Sequence, residues 1–355
     1  MASSSQPRCV IATGGTAGHV LPSLAIADAL RSRGVSVSFA GSPDRIEARL
    51  VPDAGYEFDP FRISGLPRRP GVAQLRAVLL AGRAPRACAA ILAQRRPHVV
   101  LGGGGYVAGP MVYAAWRKRI PAALTEADAH LGLANRLAAP FARQVFLAYP
   151  VAGRSGARYK VVGRPVRPVD EVPQAEARRR FELPEEGPVV LVFGGSQGAK
   201  ALNDLAVEAW GAEGPAVLHL CGERYAEELM GRELRPDYRL LPWTDDFAAA
   251  LAASDLVVAR AGGSVWEVAA AGKAAVLVPS PNVTADHQTK NARHFEAAGG
   301  AVVVPEPELA RVPSVAAELL ADDAHLSEMG AAMRRAARPD AAGVIAEELI
   351  ALASA

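Results

Sequence analysis

His19 closes a run of small residues, Gly14-Gly15-Thr16-Ala17-Gly18, and its imidazole titrates near neutral pH. A histidine placed this way can act as a general base if it faces a substrate, or it can simply cap or pack the helix that follows. The glycines point to a second kind of chemistry. Where a strand ends in a glycine turn and a helix begins, unpaired N–H groups can bind an anion, and missing side chains let a ligand approach. The pattern recurs at Gly194-Gly195-Ser196-Gln197-Gly198, where the Ser196 hydroxyl adds a donor. Further clusters stand at Gly102 to Gly105, followed by Tyr106, and at Gly262-Gly263. Any one of these turns could also serve strand–helix packing alone. Glu126, Asp128 and His130 make a third group that could hold a divalent cation through hard oxygen ligands, although alternate-residue carboxylates are common in loops.

These residues need a scaffold that gathers them. The apolar run Cys9–Thr13 reads as a buried strand, followed by a helix at about Leu21–Arg33 and a second strand at Val35–Ala40. Strand, glycine loop and helix return at Val189–Phe193, Gly194–Gly198 and about Leu202–Trp210. Strands alternating with helices predict doubly wound parallel sheets of the α/β class, and 355 residues favour two such domains. Loops at the carboxyl ends of those strands are where ligands bind. The proline-rich segment Gly163–Pro168 reads as the connector. The expected division is 1–164 and 165–337, with a C-terminal helix at about 338–355 packing back on the first domain.

Several classes are excluded. A dinucleotide fingerprint needs G-x-G-x-x-G and an acidic residue ending the second strand, but here that strand ends Phe39-Ala40-Gly41. A P-loop needs Gly-Lys followed by Ser or Thr, and Gly198-Ala199-Lys200-Ala201 lacks it. A net charge of +2 gives no reason to expect nucleic acid. Cys9, Cys88 and Cys221 are widely spaced and read as reduced thiols of a cytosolic protein. The polar start Met1–Pro7 is no signal peptide, and no apolar run reaches the ~20 residues of a spanning helix, so any membrane contact is expected to be peripheral.

The stretch Gly14-Gly15-Thr16-Ala17-Gly18-His19-Val20-Leu21-Pro22 resembles the first glycine loop of the MurG family. That family transfers N-acetylglucosamine from UDP-N-acetylglucosamine (UDP-GlcNAc) to undecaprenyl-pyrophosphoryl-MurNAc-pentapeptide (lipid I), making lipid II. Asp44-Arg45-Ile46-Glu47, Arg62–Leu66, Gly103–Pro110, Gly194–Gly198 and Asp286–Ala292 are similar to the family as well, in order along most of the chain. The resemblance implies a GT-B fold, in which two Rossmann-like domains take the acceptor in the N-terminal half and the UDP-sugar in the C-terminal half. It implies inversion at the anomeric carbon, a β-1,4 linkage, and no metal or other cofactor.

It also implies roles. His19 would take the proton from the MurNAc 4-hydroxyl. Thr16, Gly18, Gly104, Tyr106, Glu126 and Asp128 would shape the acceptor site. Ser196, Gln197 and Arg167 would face the donor diphosphate, Thr244 the uracil edge, Glu267 the ribose hydroxyls, and His287 and Gln288 the GlcNAc hydroxyls. Three departures from the family pattern stand out. Asp128 and Arg164 each replace an asparagine, and the run Arg260–Glu267 is one residue short.

A lipid-linked acceptor places the enzyme at the cytoplasmic face of the cell membrane, within reach of a cell-wall synthesis complex. The segment Val72–Arg96, with Arg76, Arg83, Arg86, Arg95 and Arg96, and Arg68 and Arg69 before it, could rest on anionic lipid. It could equally be the solvated face of a core helix. Rival readings are a GT-B enzyme acting on another glycolipid or a small molecule, a UDP-GlcNAc 2-epimerase, and a non-catalytic UDP-sugar-binding protein.

Overall fold

The computed structural model describes residues 6–63, 72–167, 172–283 and 286–354, with side chains for all of these except 72–79 and 81. Ser64 to Pro70, which include Arg68 and Arg69, the Arg76 side chain and Pro168 of the connector therefore lie outside the description. The chain forms two compact units, Met1–Arg167 with Pro339–Ala355, and Pro168–Arg338.

The first unit runs β1 (Arg8–Ala12), α1 (Ala17–Ser32), β2 (Ser36–Gly41), α2 (Glu47–Asp53), β3 (Glu57–Pro60), α3 (Val72–Arg95), β4 (Val99–Gly102), α4 (Ala108–Arg117), β5 (Ala122–Glu126), α5 (Leu133–Ala138), β6 (Gln144–Leu147) and β7 (Tyr159–Val161). Its strands lie in the order β3-β2-β1-β4-β5-β6-β7, all parallel, with Ile11 opposite Phe39 on one side and Leu101 on the other. A parallel sheet needs helices on both faces, so its central strands β1 and β4 are apolar on both sides along Cys9–Ala12 and Val99–Gly102. One face packs Val10, Ala12 and Val100 against Cys88, Leu92 and Met111. The other packs Ile11, Phe39 and Leu101 against Leu24 and Leu30 of α1 and against Ile345 and Leu349.

Those last two belong to α14 (Ala341–Ser354), the helix that ends the chain. It lies along α1, with Arg33 paired to Glu347 at 3.1 Å and Lys160 to Glu348 at 2.6 Å. The ion pairs sit near the surface and add little. Burial of Ile345 and Leu349, each 0% exposed, contributes about 1.5–3 kcal/mol per side chain.

The second unit runs α6 (Gln174–Arg180), β8 (Val189–Phe193), α7 (Lys200–Trp210), β9 (Ala216–Leu220), α8 (Glu223–Met230), β10 (Tyr238–Leu241), α9 (Phe247–Ala253), β11 (Leu256–Ala259), α10 (Val265–Ala270), β12 (Ala274–Leu277), α11 (His287–Ala297), β13 (Ala301–Val303), α12 (Val312–Leu320) and α13 (Asp323–Ala337). The strand order is β10-β9-β8-β11-β12-β13, again parallel. Val190, Val192, Val258 and Val276 pack against Trp210 and Val312 on one side of that sheet.

Both sheets reverse direction at one point, between β1 and β4 in the first unit and between β8 and β11 in the second. The crevice outside such a switch point is where an open α/β sheet binds its ligand. The glycine loops after β1, β4, β8 and β11 all stand there. The three cysteines are buried and free, and burial pushes the Cys9 and Cys88 thiols up to about 12.

Candidate functional site

In the first unit the start of α1 falls earlier than the apolar pattern suggests, at Ala17 rather than Leu21. Thr16 is extended and its carbonyl accepts from the His19 and Val20 N–H groups, so Ala17 and Gly18 form the first turn. His19 therefore stands on the helix, not on the loop. The Thr13 hydroxyl donates to the His19 carbonyl at 3.0 Å and lies 3.3 Å from that of Gly103. Ser23 donates to the same His19 carbonyl at 2.9 Å. These bonds join the loops after β1 and β4.

The His19 ring has Thr16 Oγ1 3.2 Å from Nδ1. Burial lowers its pKa first and the Arg164 charge lowers it further; Asp128 and a hydrogen bond to the Gly14 backbone act the other way. The helix N-terminus also disfavours the cation. Gly104 lies flat against this ring. A side chain there would begin 2.5 Å from His19 Cδ2, and its φ of +103° is one that L residues rarely adopt. Tyr106 packs over Gly15, and its hydroxyl is buried without a hydrogen-bond partner among the described residues.

Glu126 ends β5 and is 6% exposed. Its Oε2 accepts from Gly132 N and Asn135 Nδ2, both at 2.9 Å, and Oε1 accepts from Asp128 N at 3.3 Å. Burial raises its pKa; the three hydrogen bonds oppose that, and the nearby Asp128 charge adds to it. Both oxygens thus accept from N–H donors, which gives Glu126 an anchoring role in the turn after β5. Thr16, Gly18, His19, Gly104, Tyr106, Glu126 and Asp128 all stand at this end of the sheet. Arg167 does not join them. It pairs with Asp28 on the outer length of α1 at 3.0 Å and is half-exposed.

In the second unit Ser196 and Gln197 are exposed on a turn closed by Gly198 N–H donating to Gly195 O at 2.9 Å. Behind the turn, Asn203 Nδ2 donates to Cys221 O at 2.9 Å, which fixes Asn203 Oδ1 as an acceptor. His219 Nε2, 3.0 Å away, must then carry the proton, and Nδ1 accepts from the Tyr238 hydroxyl at 2.7 Å. Burial pulls the His219 pKa down to about 4. Thr244 follows β10, and its Oγ1 accepts from Asp246 N at 3.1 Å. Glu267 lies in the first turn of α10, after Gly262-Gly263. His287 opens α11, and Gln288 Oε1 accepts from Ser280 N at 2.8 Å, which docks its amide on the segment after β12.

Sequence reasoning assigned no role to four buried polar residues that build these sites. Glu47 is 0% exposed and accepts from Gly15 N and Ser42 N, each at 3.1 Å. Asn135 bridges Glu126 and the Thr125 carbonyl at 2.9 Å. Arg260 donates to the Val278 and Pro279 carbonyls at 3.2 and 3.3 Å and pairs with Glu306. Asn291 Nδ2 donates to Ala261 O at 3.2 Å. Glu47 could have been found, since it closes one of the stretches that carried the family resemblance.

The lipid-contact segment resolves in part. Along α3, Ala84, Cys88 and Leu92 are buried at helical spacing, Arg83 and Arg86 are exposed, and Arg95 is committed to Asp59 at 2.8 Å. This length is a core helix with a solvated face. Three of the exposed apolar residues stand nearby, Trp116 on α4, which packs on α3, and Leu133 and Leu137 on α5, which packs on α4. Trp116 stacks near Tyr113 and Phe141, and Arg117, Lys118, Arg119 and Arg136 are exposed around these helices. Among the described residues no helix is long and apolar enough to cross a membrane.

Comparison with known proteins agrees with this geometry. Residues 9–147 match the glycosyltransferase family 28 N-terminal domain and 189–345 the family 28 C-terminal domain. The chain is 43% identical over 358 residues, 96% of each chain, to the UDP-N-acetylglucosamine--N-acetylmuramyl-(pentapeptide) pyrophosphoryl-undecaprenol N-acetylglucosamine transferase of Acidithiobacillus ferrooxidans. The crystal structure of Acinetobacter baumannii MurG superposes with a TM-score of 0.77 at 30% identity, covering 97% of this chain and 99% of that one. The UDP-GlcNAc 2-epimerase of Neisseria meningitidis, with a TM-score of 0.66 at 14% identity over 97% of this chain and all of its own, shares the fold alone. Two Rossmann-like units with these glycine loops make a GT-B fold, and the chain belongs to the MurG family of N-acetylglucosamine transferases within glycosyltransferase family 28.

Proposed function

We propose that this chain transfers GlcNAc from UDP-GlcNAc to the MurNAc 4-hydroxyl of lipid I, with inversion, giving lipid II. The observation that carries the mechanism is the His19 imidazole packed against Gly104 and Thr16 at the switch point of the first sheet, where burial and the Arg164 charge lower its pKa. A base so placed takes the hydroxyl proton as the oxygen attacks the anomeric carbon. The diphosphate leaves with both electrons of the broken bond. Its charge is met by the N–H groups of Gly194–Gly198 and the Ser196 hydroxyl, and Arg167 would join them only by giving up its pair with Asp28. Thr244 reads the uracil, Glu267 the ribose, and His287 and Gln288 the sugar hydroxyls. Thr16, Gly18, Gly104, Tyr106, Glu126 and Asp128 shape the acceptor site. In this reading the unit that begins at the N-terminus takes the acceptor and the other takes the donor.

The acceptor's lipid tail requires a peripheral contact with an anionic membrane at its cytoplasmic face, where a cell-wall synthesis complex would meet the enzyme. Exposed Trp116, Leu133 and Leu137 with Arg117, Lys118 and Arg136 support that contact. The direct test is whether UDP release depends on acceptor. Release only in the presence of a short-chain lipid I analogue supports a transferase; release or isomerisation of the sugar without it supports the epimerase-like alternative.

A further inference from the structure

Pro22 sits inside α1 and has no N–H to give, so the carbonyl four residues earlier, that of Gly18, loses its helical partner. Arg164 replaces it. Its Nη2 donates to Gly18 O at 2.6 Å, and Nη1 donates to Ala127 O at 3.3 Å. The side chain is buried, 6% exposed overall, and no carboxylate among the described residues pairs with it. The two carbonyls belong to the residues immediately before His19 and Asp128. One guanidinium therefore ties the start of α1 to the turn after β5. His19, Glu126, Ala127 and Arg164 line a single recess there.

We infer that Arg164 is a positioning residue for the proton transfer: it holds His19 against the Glu126–Asp128 turn and sets a fixed positive charge beside the ring that must accept the proton. The inference rests on the reading of His19 as the base. After burial, Arg164 is the largest influence keeping the imidazole neutral, and Asp128 opposes it. The groups acting on the ring are Arg164 from the segment after β7, Asp128 from the turn after β5, and the Thr16 hydroxyl just before α1, with Glu126 lining the same recess. Arg164 and Asp128 are also the two places near His19 where asparagine of the family pattern is replaced. One replacement adds a positive charge and the other a negative one, so the ring feels their difference.

The test is an NMR titration of the His19 ring in the full chain, beside pH–rate profiles, for Arg164→Met, Arg164→Lys and Asp128→Asn. In Arg164→Met the titration is expected to rise toward the ordinary value near 6.5. Arg164→Lys should stay close to wild type, and Asp128→Asn should titrate lower. Below neutral pH, kcat/KM for the acceptor should fall about tenfold in Arg164→Met, with KM for UDP-GlcNAc within about twofold of wild type. A His19 titration unmoved in Arg164→Met overturns the inference. If that variant does not fold, Asp128→Asn decides, and an unmoved or raised titration there overturns it equally. The titration is read without turnover. A ring pKa that shifts as expected while the pH–rate limb stays fixed upholds the placement of Arg164 and counts against His19 as the base.

Discussion

The Glu47 carboxylate, wholly buried, accepts the Gly15 N–H at 3.1 Å and so holds the first glycine loop to the start of α2. Its second oxygen takes the Ser42 N–H, and Gly14 lies so close that a side chain there would begin 2.1 Å from Oε1. Loop and carboxylate fit only in this arrangement.

Removing it takes the acceptor from the buried Ser42 N–H and from the half-buried Gly15 N–H. Glu47→Ala is expected to cost about 1–3 kcal/mol in urea unfolding. Glu47→Gln keeps the shape but turns an NH2 toward a backbone donor. It should fold and transfer at least about tenfold more slowly. Wild-type rates in Glu47→Gln would show that the loop does not depend on this carboxylate.

His19→Ala should lower turnover by about 10²–10⁴ while leaving UDP-GlcNAc affinity unchanged. The sign of the pH effect follows from its lowered pKa. The neutral base persists to lower pH than a free histidine would allow, so the acid limb of kcat/KM should fall below pH 6.5, the ordinary value. A limb above that value would contradict the assignment.

His219 gives a separate stability signature. It is neutral in the fold down to about pH 4 but protonates when unfolded near 6.5. As pH falls through that window the unfolded state binds the extra proton, and stability is lost, by about 3 kcal/mol at the low end. His219→Gln should be less stable than wild type at pH 7, with the gap closing toward pH 4. A gap independent of pH would show that His219 is not buried neutral.

Arg260→Lys loses the forked grip on the Val278 and Pro279 carbonyls and on Glu306. The strand end it supports leads to Ser280, where Gln288 docks. KM for UDP-GlcNAc is expected to rise about five- to tenfold with little change in acceptor KM. The opposite split would place Arg260 outside the donor site.

The strands and glycine loops were legible because an apolar run ended by glycine has few other structures open to it. The partners of Glu47, Arg164 and Arg260 were not. Glu47 meets Gly15 across 32 positions and Arg164 meets Gly18 across 146, distances at which no local pattern operates. The helical start at Ala17-Gly18 was missed because glycine is a poor helix former, and the backbone bonds of the His19 and Val20 N–H groups to the Thr16 carbonyl override that preference. The exposed Trp116 and Leu137 were missed for a related reason: α4 and α5 carry core-forming patterns, and only the packed structure separates their buried sides from their open ones.

The measurement closest to the central claim is the product itself. Purified chain, UDP-GlcNAc labelled in the sugar and a short-chain lipid I analogue are incubated with and without EDTA, and the lipid fraction is analysed by mass and by anomeric coupling. A β-1,4-linked disaccharide on the lipid, one per UDP released and equal in both samples, is the expected result, since this reading stabilises the leaving diphosphate with N–H and hydroxyl donors and no metal. UDP released without lipid-linked disaccharide, or an α linkage, would contradict it.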